Sequence, residues 1–238
     1  MNAFTIRVLV ADDHPGMIAG VRHELMTAKT IDLSGEARNS TELVALLETT
    51  TCEVVISDYS MPAGEHGDGI GLFSFVQRRF PHVKLVVLTM LDNPAILTSL
   101  ARIGVRGVVS KSDALSHLVP AVHAAYTGGK YYSPTVAAIM ESVELGTQNR
   151  QAETELSARE AEVVRLYAGG LRVTAIALRL NRSKKTISTQ KARAMQKLGI
   201  ERDMDLMKYA LEHGWVTSSQ ANANIVQAQD APETPHSH

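Results

Sequence analysis

The chain has 238 residues, 45% of them hydrophobic and 21% charged, which is ordinary for globular protein and leaves room for one to two domains with buried cores. No stretch approaches the roughly 18 uninterrupted apolar residues of a membrane span, and the opening Met1-Asn2-Ala3-Phe4-Thr5-Ile6-Arg7 does not read as a signal-peptide core. A cytoplasmic protein with no membrane partner is expected. The net charge of −1 hides an asymmetry: residues 1–128 carry 10 Lys/Arg against 13 Asp/Glu, whereas residues 155–215 carry 12 against 7, which suits the second region to a polyanion.

The first apolar run, Ile6-Arg7-Val8-Leu9-Val10-Ala11, reads as a strand that ends abruptly in Asp12-Asp13, and Pro15 then suits the first turn of a helix. Further strands are expected near 33–37, 54–57, 85–88 and 108–109. Helical patterns lie near 15–28, 40–49, 69–80, 93–103 and 113–127, with Gly104 and Gly128-Gly129 as stop signals. This alternation predicts a flavodoxin-like, doubly wound, five-stranded parallel sheet over residues 1–128. Residues 129–154 read as a linker, with a short apolar segment at 135–143 and a polar stretch from Glu144. From Leu156 the period is purely helical, predicting a compact all-α four-helix unit over 155–215. The tail, 216–238, has few large apolar groups and reads as disordered, terminal His236 and His238 included. The single cysteine, Cys52, has no disulfide partner and no second soft ligand nearby, and reads as a passive residue before a strand.

Two adjacent carboxylates repel and want a cation. At the carboxyl end of a strand in an open α/β sheet, such a pair is the oxygen-ligand site that Mg²⁺ accepts, and Asp58, ending the strand Val54-Val55-Ile56-Ser57, could share the ion. The plainer alternative is that Asp12 and Asp13 cap a helix and Asp58 starts a turn. Thr89 follows Val86-Val87-Leu88, and Lys111 follows Val108-Val109-Ser110. A carboxylate nucleophile, an acidic metal pocket, a hydroxyl and an ammonium on one sheet edge suffice for phosphoryl transfer to a carboxylate. Asp58 would accept the phosphoryl group, Mg²⁺ on Asp13 and Asp58 would neutralise its oxygens, Lys111 would pair with one oxygen and Thr89 would hydrogen-bond another.

Asp12-Asp13-His14-Pro15, Gly20, Asp58, Met61-Pro62, Thr89 and Lys111 together resemble the receiver domain of bacterial two-component response regulators, across the whole of 1–128. The resemblance implies phosphorylation of Asp58 by a histidine kinase or phosphotransfer protein, Asp12 and Asp13 in the acidic pocket, and the backbone carbonyl of Ser60 as a further metal ligand. Where the family often carries an aromatic switch residue, three before the lysine, this chain has Val108.

In the second region, Arg182, Lys184, Lys185, Lys191, Arg193 and Lys197 fall in one acid-free window, which suits DNA because phosphate contacts dominate nucleic-acid affinity; a merely solvated basic face is the alternative. Ser183 is a plausible N-cap. At 100° per residue Ile187, Ala194 and Leu198 share one face, opposite Lys185, Ser188, Thr189, Ala192 and Gln196. Lys184, Lys191 and Arg193 flank that second face. Leu156-Ser157-Ala158-Arg159-Glu160, Gly170, Ile176-Ala177, Leu180, Lys185-Thr186-Ile187 and Lys197-Leu198-Gly199 resemble the helix-turn-helix domain of the LuxR/NarL/FixJ family. The resemblance makes 183–197 the recognition helix and 173–180 the scaffold helix, with Ser183, Lys184, Lys185, Thr186, Ser188, Thr189, Gln190, Lys191 and Arg193 towards DNA. Gln190, Ala175 and Arg172 depart from the family pattern. Within the family, segments such as Asp58-Tyr59-Ser60-Met61-Pro62 and Asn93-Pro94-Ala95-Ile96-Leu97 are similar to regulators of the Rcs-phosphorelay type.

The expected protein is therefore a phosphorylation-controlled, dimerising transcription regulator rather than an enzyme. One alternative is a regulator acting chiefly through heterodimers. The other is a Mg²⁺-dependent phosphohydrolase, against which Ser60 stands where a second carboxylate should serve as general acid and base.

Overall fold

The structure is a computed structural model that describes residues 5–61, 63–144, 156–200, 202–212 and 215–216. The expected polar linker at 145–154, Pro62 and the tail from residue 217, with His236 and His238, lie outside the described residues. Two compact units form, the first running through Thr147 and the second beginning at Gln148. Among the described residues no helix is long and apolar enough to cross a membrane.

In the first unit β1 (Ile6–Ala11), β2 (Ile31–Ala37), β3 (Val54–Asp58), β4 (Lys84–Thr89), β5 (Gly107–Ser110) and β6 (Tyr131–Tyr132) make one parallel sheet in the order β2-β1-β3-β4-β5-β6. Between them lie α1 (Pro15–Leu25), α2 (Ser40–Thr49), α3 (Gly69–Arg79), α4 (Pro94–Arg102) and α5 (Leu118–Tyr126), the last preceded by a 3₁₀ turn at Leu115–His117. Every residue of β3 is buried, as a strand covered on both faces must be, so its apolar run is continuous rather than alternating. On one face Val8, Val10, Ile56, Val86, Leu88 and Val109 pack with Ile18, Val21 and Leu25 of α1 and Leu118, Ala121, Val122 and Ala125 of α5.

The expected strands and helices are present, but the first unit does not stop at residue 128. Tyr131–Tyr132 adds a sixth strand beside β5, and the segment read as linker is a helix, α6 (Pro134–Glu144), packed against α4 and β5. Gly128, at φ 82°, ends α5 rather than the domain. The junction is fastened to the loop after β5: the Ser133 hydroxyl accepts from the Ser110 N–H at 2.9 Å, and the Asp113 carboxylate accepts from the Thr135 N–H and hydroxyl at 3.1 and 2.7 Å. Asp113 thus caps α6 from outside the helix.

The second unit holds α7 (Ala158–Ala168), α8 (Val173–Arg179), α9 (Lys184–Leu198) and α10 (Asp203–Glu212). Ser157 and Glu160 form a reciprocal capping box that starts α7, and Gly199, at φ 65°, closes α9 in the left-handed region. Val163, Leu166, Ile176, Ala177 and Ile187 form the core. Beyond α10 the Trp215 N–H returns to the Ala210 carbonyl at 2.8 Å, and its ring meets Tyr209 edge-on.

Removing the external cap should loosen the start of α6. In Asp113→Ala, amide exchange at Thr135 should rise about fivefold, the order expected for an N-cap worth about 1 kcal/mol, while α9 amides are unchanged; native-state hydrogen exchange reads both.

Candidate functional site

Parallel sheets of this order bind ligands where the chain reverses direction, between β1 and β3 at their carboxyl ends. Asp12 and Asp13 follow β1 there, and Asp58 ends β3 beside it. Asp12 is fully buried and Asp58 is only 5% exposed. Lys111, following β5, places Nζ 2.8 Å from Asp12 Oδ2 and 2.9 Å from Asp58 Oδ2. Burial pushes the Asp58 carboxyl up to about 6, with Asp12 adding to the rise and the Lys111 ammonium opposing it. For Lys111 itself burial favours the neutral form, but the Asp58 and Asp12 carboxylates outweigh it and hold the ammonium above its ordinary value.

The remaining expected residues lie around this pair. The Ser60 N–H donates to the Asp58 carboxylate. Thr89 ends β4, buried, its hydroxyl oxygen accepting from the Leu91 N–H at 2.8 Å and its carbonyl from the Lys111 N–H at 2.8 Å. Asp13 Oδ1 lies 2.7 Å from His14 Nδ1, and the His14 N–H donates to Asp12 Oδ1 at 2.9 Å. Asp12, Asp13, His14 and Asp58 each offer a ligand atom within 4.8 Å of the others. Sequence reasoning placed the carboxylates, Thr89 and Lys111 on this edge and assigned nothing to the His14 ring. Its only signal was its position between the acid pair and Pro15.

On the second unit α9 behaves as its period predicts. Ile187 and Ala194 are buried, while Lys185, Ser188, Thr189, Ala192 and Gln196 are exposed, flanked by exposed Arg182, Lys184 and Arg193. The Ser183 hydroxyl accepts from the Thr186 N–H at 3.1 Å, so these two residues start the helix, and Gln190 is half-buried. Lys191 is placed differently from the phosphate role expected of it. Its Nζ lies 2.7 Å from Asp203 Oδ1 and 3.9 Å from the Tyr167 ring centroid, and Tyr167 also donates to Asp203 Oδ2 at 2.6 Å. Lys197 likewise turns to Glu160, at 2.8 Å. Both lysines tie α9 to neighbouring helices.

Two family models match: the response regulator receiver domain over residues 8–123, and the luxR family of bacterial regulatory proteins over residues 154–210. The chain is 40% identical over 204 residues to the transcriptional regulatory protein RcsB of Escherichia coli K12, covering 86% of this chain and 93% of that protein. It is similar to RcsB from Salmonella enterica serovar Typhimurium bound to promoter P1flhDC in the presence of the phosphomimetic BeF3⁻, with TM-score 0.73, 39% identity and coverage of 87% and 99% of the two chains. A structure of two RcsB dimers bound to two parallel DNAs matches with TM-score 0.57, 39% identity and coverage of 90% and 100%.

The clamp around Lys191 sets an expectation for stability. Lys191→Ala should destabilise the second unit by about 1 kcal/mol, the scale of a partly desolvated cation–π contact, read by thermal melts of the single tryptophan, Trp215. Lys191 and Tyr167 hold the Asp203 carboxyl below its ordinary value. The ion-pair part of this contribution is therefore complete above about pH 4 and is lost as the pH falls through the lowered folded value, while the contact with the Tyr167 ring remains, so the gap between wild type and variant should narrow in acid without closing.

Proposed function

Since the chain belongs to the LuxR-type response-regulator family, with a receiver unit and a helix-turn-helix unit, we propose that phosphorylation of Asp58 controls its dimerisation and its binding to promoter DNA. The observation that carries this reading is the Asp58 carboxylate, buried at the switch point and held by Lys111 beside Asp12 and Asp13. A phosphohistidine of a histidine kinase or phosphotransfer protein would donate the group: its P–N bond breaks, a P–O bond forms to an Asp58 oxygen, and the leaving imidazole takes a proton.

The residues fit a hard divalent cation. Acids converging with one ammonium leave excess negative charge, and their oxygens suit Mg²⁺, held by Asp12, Asp13 and Asp58 with the Ser60 carbonyl. Mg²⁺ there would neutralise the phosphoryl oxygens. Lys111 then has a phosphoryl oxygen to pair with, and Thr89, whose hydroxyl oxygen already accepts from Leu91, keeps its O–H to donate to another. The relatives are transcription regulators rather than enzymes, and RcsB has been seen on promoter DNA and as dimers on DNA. Because two helix-turn-helix units on a two-fold site double the base contacts, dimerisation is the natural control point. The DNA-facing set is Lys184, Lys185 and Arg193 for phosphates and Ser188, Thr189 and Gln190 for base edges, with Ser183, Thr186 and Lys191 positioning α9.

Acetyl phosphate with Mg²⁺ should add one phosphoryl group to the wild type and none to Asp58→Ala, by intact mass. Equal incorporation in both removes the assignment. Beryllofluoride should shift the wild type towards dimer in sedimentation and tighten its DNA binding.

Lys184→Ala and Lys185→Ala should each reduce the slope of log affinity against log salt by about one unit, and Lys191→Ala should reduce it by much less. Unchanged slopes in the first two place the DNA surface elsewhere.

A further inference from the structure

The acids of the Asp58 pocket lie at the carboxyl edge of the sheet, and most cations of the first unit lie at the opposite edge. There the turns at 78–84, 102–106 and 127–130 hold Arg78, Arg79, Lys84, Arg102, Arg106 and Lys130 and no Asp or Glu. They lead into β4, β5 and β6, which are neighbours in the sheet. The Arg106 N–H donates to the Leu85 carbonyl and the Tyr131 N–H to the Arg106 carbonyl, each at 2.9 Å. Lys84, Arg106 and Lys130 therefore enter adjacent strands at one level, about 10 Å from first to last. Gln77 lies between the first two turns: its Nε2 donates to the Val83 carbonyl at 3.5 Å, and its Oε1 lies 3.6 Å from the place a Cβ on Gly104 would take.

Helix dipoles account for part of this charge. Arg78, Arg79 and Arg102 lie in the last turns of α3 and α4, where cations complement the carboxyl ends. Lys84, Arg106 and Lys130 stand at strand entries, where a sheet has little dipole to answer. Nor do acids neutralise the group. Glu48 lies 3.8 Å from Arg79 and Glu53 is held by Arg7, while Arg78, Lys84, Arg102, Arg106 and Lys130 have no acid within 4.0 Å among the described residues. The surface between them is polar: Phe80, Val83 and Val105 are buried, and no large hydrophobic side chain is exposed in the three turns. A protein partner would want an apolar or aromatic anchor at the centre of its contact, whereas a phosphate backbone, with one charge per roughly 1.7 Å of duplex axis, asks only for cations.

We propose that this edge of the first unit is a second DNA contact, binding the phosphate backbone of duplex that flanks the site read by α9. The inference rests on α9 being the DNA-reading element, and it adds a sequence-independent contact from the unit that carries Asp58. The two units share one chain, so DNA held by α9 meets the first unit at raised effective concentration, and contacts too weak to bind alone add to affinity. The edge lies one length of β4, about 20 Å, from the Asp58 pocket, so changes there leave the phosphoryl site alone.

The test compares the full-length wild type with the triple variant Arg78→Ala/Arg102→Ala/Lys130→Ala, whose three side chains are exposed. Two duplexes carry the wild type's preferred site from in vitro selection: one of about 20 bp, enough for two half-sites a helical turn apart, and one extended by about two turns on each side. On the extended duplex the variant should lower the slope of log affinity against log salt by about two to three units per chain, and on the short one by less than about one. The charge-preserving Arg78→Lys/Arg102→Lys/Lys130→Arg should keep the wild-type slope. Matching thermal melts show that all three proteins are folded, and acetyl phosphate should label them equally. Equal slopes for wild type and the alanine variant on the extended duplex, or equal losses on both duplexes, would overturn the proposal. So would weaker self-association of the alanine variant in sedimentation without DNA at unchanged slopes, which would make the edge a contact between copies of this chain. Lys185→Ala is the separate control: a slope equal to wild type on both duplexes would count against the α9 reading, independently of this edge.

Discussion

The first unit is organised around a charge problem: Asp12 and Asp58 are buried carboxylates on neighbouring strands, and Lys111 is the ammonium that holds both. An uncompensated buried carboxylate costs several kcal/mol or takes up a proton, and Asp58 already leans towards the proton. The topology makes the arrangement unavoidable, because β1 and β3 are neighbours and both end in acids at the same edge. Lys111 comes from β5, two strands from β3, a separation of about 9–10 Å that only a long side chain spans. Between them β4 ends in Thr89, whose hydroxyl is polar enough to serve the same chemistry. The identities of four residues on four strands are thus consequences of one electrostatic requirement.

That requirement explains why so much of this site was legible in the chain. Each functional group directly follows or ends an apolar run, and a parallel sheet brings all such ends to one edge, so finding the strands finds the site. What escaped was whatever lacked a period of its own. Tyr131–Tyr132 is a strand of two residues and shows no alternation; it exists because β5 offers an edge to pair with. The Gly128-Gly129 pair looked like a domain boundary because a helix stop and a domain stop carry the same glycine signal. The role of the His14 ring depends on which way it turns from the start of α1, and composition does not encode that.

In the second unit the sequence pattern shows where the cations lie but not what they meet. The basic window of α9 contains no acid, yet two of its six cations are answered by acids outside the window, Lys191 by Asp203 on α10 and Lys197 by Glu160 on α7. Helical period gives the face of a cation and not its partner. These pairs leave the outward charge of α9 on Lys184, Lys185 and Arg193, with Arg182 just before the helix. The face is narrower than the window suggests, and its orientation is fixed by the bonds that removed the other two charges.

A receiver must also pass its state on, and Val108 denies this one the aromatic side chain that often does so. The described contacts give the Lys111 loop another attachment. Ser110 and Ser112 share a hydroxyl contact at 2.6 Å, the Ser110 N–H donates to Ser133, and Asp113 holds the first turn of α6 through Thr135. His117, just beyond, meets the Tyr131 hydroxyl at 2.6 Å. Lys111 therefore sits in a loop whose neighbours on either side are fastened to the segment that opens α6. A phosphoryl group on Asp58 would add negative charge within reach of the ammonium and draw it from the carboxylates it now bridges, so the loop cannot follow without loading those bonds. Any bias on α6 would then scale with how far Lys111 moves.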